Sequence, residues 1–143
     1  MKSAYASAKS TKGFKVEVQA RNHLMVIDQP LSLGGENSGP SPLEYLFASL
    51  GSCLVTVGLI IARQEHLEVN EIIVDVEGEL DLDVLMGKSV ATRSGFQGIT
   101  AKYTIDAPSM SASEKQVFVN KIEMRCPISD NLANLTPLHV IVN

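Results

Sequence analysis

Two cysteines, Cys53 and Cys126, are the residues of this 143-residue chain whose chemistry could amount to more than packing. A thiolate is a nucleophile, and two thiols that meet can pass through a sulfenic acid to a disulfide and back. Cys53 lies inside GPSPLEYLFASLGSCLVTVGLIIARQ, Gly39 to Gln64. A lone cysteine in an apolar helix is ordinarily inert packing, and burial there disfavours its charged form. Cys126 lies in RCPISDNL, directly before Pro127, where it could cap a short helix. A thiol at a helix N-terminus gains from the positive end of the dipole. Arg125 beside it would act in the same direction. On local grounds Cys126 is therefore the more acidic thiol, and Cys53 needs a stabilising group if it is to react. Arg21 is the candidate for that group. Two thiols are too few for a structural zinc site built from cysteines. His23, His66 and His139 have no ligand spacing and read as structural, and Ser52 lacks the surroundings of a serine hydrolase.

The elements that must position these residues are legible from periodicity. FKVEVQ alternates Phe14, Val16 and Val18 against polar residues, a half-buried strand, and HLMVID follows after ARN. A hairpin with Arg21 at or near its tip is expected. QPLSLGGENSGPSP reads as a loop. Ser41-Pro42-Leu43-Glu44 is a capping box with proline at the first helical position. Leu43, Leu46, Phe47, Leu50, Leu54, Val57 and Ile61 then recur at helical spacing as a buried stripe. Ser49, Gly51, Ser52 and Gly58 thin this helix, so another backbone or a substrate can come close. VNEIIVDVEGEL and ITAKYTID alternate as strands. DLDVLMGKSVATRSG has no strong period and reads as a connection. SASEKQVFVNKIEM reads as a second helix, with Ser111 and Glu114 repeating the capping spacing, and PISDNLAN as a short third. LHVIV is expected to close as a strand.

Composition bounds the function classes. The chain length suits a single domain, 1–143, with about residues 1–12 flexible or extended. Apolar residues make up 45% and charged residues 20%, a soluble globular profile. The net charge of −4 and the absence of Trp give no footprint for nucleic acid. Tyr45 to Ala62 runs without a charge and touches the length of a membrane span. The run contains Ser, Thr and Gly, and no Lys/Arg cluster flanks it to set orientation. A buried central helix of a protein or dimer is the preferred reading. The start, MKSAYASAKSTKGF, lacks the apolar core of a signal peptide, so a cytoplasmic protein with reduced thiols is expected.

GPSPLEYLFASLGSC and CPIS together carry a resemblance to a known family. The chain resembles the OsmC/Ohr family, the osmotically inducible and organic hydroperoxide resistance proteins, from about Phe14 to its end. The resemblance implies an α+β fold, an intertwined homodimer whose antiparallel sheets wrap long central helices, with active sites at the subunit interface. It implies a thiol-dependent peroxidase that reduces organic hydroperoxides to alcohols without metal, haem or flavin. Carried onto this chain, Cys53 is the peroxidatic thiol, Cys126 the resolving thiol, and Arg21 the group that binds the thiolate and the peroxide oxygens. A dithiol donor then restores both thiols. In better-studied members a Glu directly follows the helix-leading Pro, whereas here Leu43 does and Glu44 comes one residue later. That shift turns a helical side chain by roughly 100°. Glu44 is thus read first as the cap residue and second as a partner for Arg21, in a less characterised branch of the family. The alternative function is a non-catalytic dimer that holds a small apolar ligand at the subunit interface.

Overall fold

The computed structural model describes residue 1 and residues 3–142. Helices and antiparallel strands alternate in an α+β chain whose contacts fall into two units, Met1–Leu46 and Phe47–Asn143.

The first unit is a three-stranded antiparallel meander of β1 (Ser7–Ser10), β2 (Val16–Ala20) and β3 (His23–Ile27). The alternation of β2 places Val16 and Val18 on the half-buried face. Ala20 pairs with His23, which leaves Arg21 and Asn22 as a two-residue turn. Arg21 accordingly takes φ 53, the left-handed geometry that tight hairpins need. The expected hairpin tip is therefore where Arg21 lies. β1 was not legible in the sequence, because SAKS carries no apolar alternation and every residue of it is exposed.

The loop after β3 is tied down by one buried carboxylate. Asp28 is 1% exposed. It accepts hydrogen bonds from the backbone N–H groups of Gln29, Glu36 and Ser38 at 2.8, 3.1 and 3.0 Å, and from the Ser38 hydroxyl at 2.8 Å. These donors, led by those of Ser38, hold its pKa down to about 2.

Helix α1 (Pro42–Glu65) begins in the first unit and continues through the second. It is long and apolar enough to cross a membrane. Its Leu50, Leu54, Val57 and Ile61 are nevertheless buried among protein side chains. They pack with Ile72 of β4 (Glu71–Glu79) and with Phe118 and Ile122 of a later helix, α3 (Ala112–Arg125). Strand β4 pairs antiparallel with β5 (Gly98–Asp106), with Ile72 opposite Ile105, Val74 opposite Tyr103 and Val76 opposite Ala101. These are the apolar faces that the alternation predicts. Gly58 makes the close approach possible. A Cβ there would lie 2.7 Å from Ile72 Cδ1 and 3.0 Å from Ile122 Cδ1.

The connection between β4 and β5 contains one short helical turn, α2 (Leu82–Leu85), capped by Asp81, which four residues are too few to announce by periodicity. Ser111 and Glu114 form the expected capping box of α3. The Lys121–Glu65 ion pair, 2.7 Å, fastens α3 to the end of α1. Cys126 ends α3 and starts α4 (Pro127–Ala133).

The C-terminal LHVIV is a correction. Among the described residues it forms no strand, and Leu138, Val140, Ile141 and Val142 are 87, 82, 82 and 91% exposed. The segment has the pattern of a strand but pairs with no sheet edge among the described residues, and an extended segment becomes a strand only by pairing.

Candidate functional site

The topology brings the two cysteines together across 73 residues of sequence. Cys53 is contributed by the middle of α1 and Cys126 by the junction between α3 and α4, and their sulfurs are 2.9 Å apart. Both are free thiols. A covalent S–S bond is about 2.05 Å, so forming one requires movement of less than about an ångström. Two features produce the pairing. Packing of Phe118 and Ile122 onto the Leu54–Ile61 face of α1 sets the line of α3. The chain then leaves helical geometry at Cys126 (φ −81, ψ 112), and Pro127 opens α4.

The two sulfurs differ in their surroundings. Cys126 is 1% exposed, whereas Cys53 is half-buried. Cys53 lines an open groove of about 540 Å³, and Cys126 does not. Val57, Ile60, Pro127 and Ile128 supply apolar lining to that groove, and Ser49, Ser52 and Thr56 supply hydroxyls. A small molecule arriving by this route therefore meets Cys53 first. The apolar run around Cys53 reads as burial, and it conceals that one side of the helix stays open.

Helix α4 presents its first turn to the dithiol. The Ser129 N–H donates to Cys126 Sγ at 3.4 Å, so Cys126 is the N-cap of α4. Burial pushes the Cys53 thiol above the ordinary cysteine value. The adjoining Cys126 thiol adds to that, and a hydrogen bond from the Ile128 backbone partly opposes it. Within the second unit, then, the balance favours the protonated form of Cys53. Of these backbone donors on α4, the cap at Cys126 is the expected one, and the Ile128 donor to Cys53 was not foreseen. The signal available for them was the Cys-Pro step, which starts a helix at the sulfur.

Arg21 and Glu44 belong to the first unit. Arg21 is exposed in the β2–β3 turn, where its carbonyl accepts from Gln19 Nε2 at 2.7 Å. Glu44 closes the capping box: its Oε2 accepts from the Ser41 N–H at 2.7 Å and the Ser41 hydroxyl at 2.8 Å. Those bonds hold its carboxyl below the usual range. No ion pair joins Arg21 to Glu44 among the described residues. Also among the described residues, no group of three or more His, Cys, Asp or Glu side chains could hold a metal ion.

The dithiol thus links α1 to the α3–α4 junction, with one sulfur open to a groove and the other enclosed. The family model described as OsmC-like protein matches residues 35–140. The chain belongs to the OsmC-like family. Solved structures agree on the fold. An OsmC-like protein from Mycoplasma pneumoniae superposes with TM-score 0.81 at 18% identity, covering 94% of this chain and 89% of that one. An organic hydroperoxide resistance protein OsmC from Legionella pneumophila gives 0.68 at 19% identity, covering 92% and 90%. The organic hydroperoxide resistance protein OhrB of Bacillus subtilis gives 0.61 at 18% identity, covering 93% and 92%. No protein in the curated set matches the sequence significantly.

Proposed function

We propose that this OsmC-like protein is a cysteine-based peroxidase that reduces organic hydroperoxides to alcohols. The observation that carries the reading is the pairing of a groove-lining Cys53 with an enclosed Cys126 at 2.9 Å. Membership of a family that includes organic hydroperoxide resistance proteins supports it.

In the proposed cycle the Cys53 thiolate attacks the terminal oxygen of the hydroperoxide. The O–O bond breaks, the alkoxide leaves and takes a proton as the alcohol, and Cys53 becomes a sulfenic acid. Cys126 then attacks the Cys53 sulfur, the S–S bond forms, and water departs. A dithiol donor reduces the disulfide, becoming a disulfide itself. Cys53 is peroxidatic and Cys126 resolving. Arg21 is the group assigned to hold the thiolate, and Glu44, already engaged as a helix cap, is at most a secondary partner for it. The working form is a homodimer in the cytoplasm. The exposed apolar residues Leu59 and Ile60 on α1, with the apolar C-terminal segment, supply surface for a second copy.

The test is to add one equivalent of an organic hydroperoxide to the reduced protein and follow free thiols and intact mass. Loss of both thiols with a fall of about 2 Da is expected. Two surviving thiols at neutral pH would remove the peroxidase and leave the alternative, a dimer that holds a small apolar ligand in the same groove.

A further inference from the structure

Arg125 has no place in the cycle described so far, yet it lines the Cys53 groove as the one charged residue of that lining. It ends α3, adjacent to Cys126, and its Nη1 donates to Gln64 Oε1 at 3.0 Å. That bond ties the guanidinium to the last turn of α1. A guanidinium carries five N–H donors in a rigid fork, so the neutral Gln64 amide leaves most of them and the whole charge uncommitted. Lys12, Lys15, Lys102 and Lys121 each find a carboxylate. Arg125 makes no ion pair among the described residues. An unpaired, oriented cation beside the apolar walls formed by Ile60 and Ile128 suits an amphipathic anion.

We infer that Arg125 is a specificity-determining residue that binds the carboxylate of an acidic organic hydroperoxide whose apolar body lies along Ile60 and Ile128, with the peroxide directed to Cys53. The planar fork matches a carboxylate in bidentate geometry, which is a stronger contact than a neutral hydrogen bond. Burial and Cys126 push the Cys53 thiol up and the Ile128 N–H alone opposes them, so Arg125 is not acting there as the cation that holds the thiolate. Its charge is left for the substrate. Naming the ligand a hydroperoxide rests on the peroxidase reading, whereas the anion site does not.

The structural alternative is that Arg125 only fastens α3 to α1 through Gln64, and selectivity separates the two roles. A medium-chain hydroxy acid is the redox-inert product form of such a substrate, and its methyl ester is the neutral control. Calorimetric titration of the reduced protein should show the acid binding about fivefold or more tighter than the ester, a preference that weakens as salt screens the pair. In Arg125→Gln the acid should bind only as well as the ester, with ester binding unchanged. Arg125→Lys, which keeps the charge but not the fork, should retain part of the preference. With the corresponding hydroperoxides, Arg125→Gln should raise KM for the acid and leave kcat near that of the parent. Equal binding of acid and ester to the parent protein, or an intact preference in Arg125→Gln, overturns the assignment. Thiols that survive the acidic hydroperoxide while the acid preference persists would remove the peroxidase reading and keep the anion site.

Discussion

Cys53 Sγ and Cys126 Sγ lie 2.9 Å apart, with Cys53 on the wall of a groove and Cys126 only 1% exposed. In the proposed cycle this asymmetry sets the order of events: the sulfur that a solute can reach would be oxidised, and the enclosed sulfur would capture it.

The pH dependence of Cys53 follows from its surroundings. Its thiol is raised by burial and by Cys126, so in the absence of a compensating cation the thiolate fraction increases only as pH climbs past the ordinary cysteine value of about 8.5. If Arg21 supplies the compensation, alkylation of Cys53 should have its midpoint below that value in the parent protein and above it in Arg21→Gln. Coincident profiles would show that Arg21 is not the stabilising group.

The sulfur pair depends on how closely α3 approaches α1. Gly58→Val would place side-chain atoms against Ile72 and Ile122, where even a Cβ comes within 2.7 and 3.0 Å. The expected loss is about 1–3 kcal/mol in urea unfolding, as for overpacked cores, with slower disulfide formation after peroxide. A variant as stable as the parent would show that the packing at Gly58 gives way freely.

Asp28 makes the first unit sensitive to acid. Its folded pKa of about 2 lies below the unfolded value of 3.8, so its contribution is fully present above the unfolded value. That contribution is lost as pH falls from about 4 towards 2. Asp28→Asn should lower the urea midpoint at pH 7 and flatten its fall over that range. An unchanged slope would mean that the loop clamp contributes little.

Much of this architecture was legible in the sequence, and the failures have physical causes. The faces of β4 and β5 were readable because alternation reports a half-buried strand directly, and Ser111 with Glu114 announced α3 by local hydrogen bonding. The polar β1 carried no such signal. LHVIV has a strand's pattern, but pairing is a long-range property, and it pairs with no strand among the described residues. The motifs singled out Cys53 and Cys126, while their contact arises from packing between α1 and α3, and the apolar run around Cys53 gave no sign that one side of the helix stays open. Arg125 was noticed beside Cys126, but the groove it lines is built where α1 meets the α3–α4 junction, which lies far from it in sequence.

The proposed dimer would use the C-terminal segment as part of its interface. Leu138 and Val140 are 87 and 82% exposed, a large apolar exposure for residues patterned as a strand. Light scattering at micromolar concentration should report a dimer for the parent protein and a shift toward monomer for the Leu138→Asp, Val140→Asp double variant. A monomeric parent would contradict the proposed assembly.

The central claim is that Cys53 takes the oxygen and Cys126 resolves it. The most direct measurement treats reduced Cys126→Ser with one equivalent of organic hydroperoxide in the presence of a sulfenic-acid-selective trap, followed by peptide mapping. The account predicts one turnover and a label on Cys53, with Cys53→Ser consuming no peroxide. An unlabelled Cys53, or a Cys53→Ser protein that is labelled at Cys126, would contradict it.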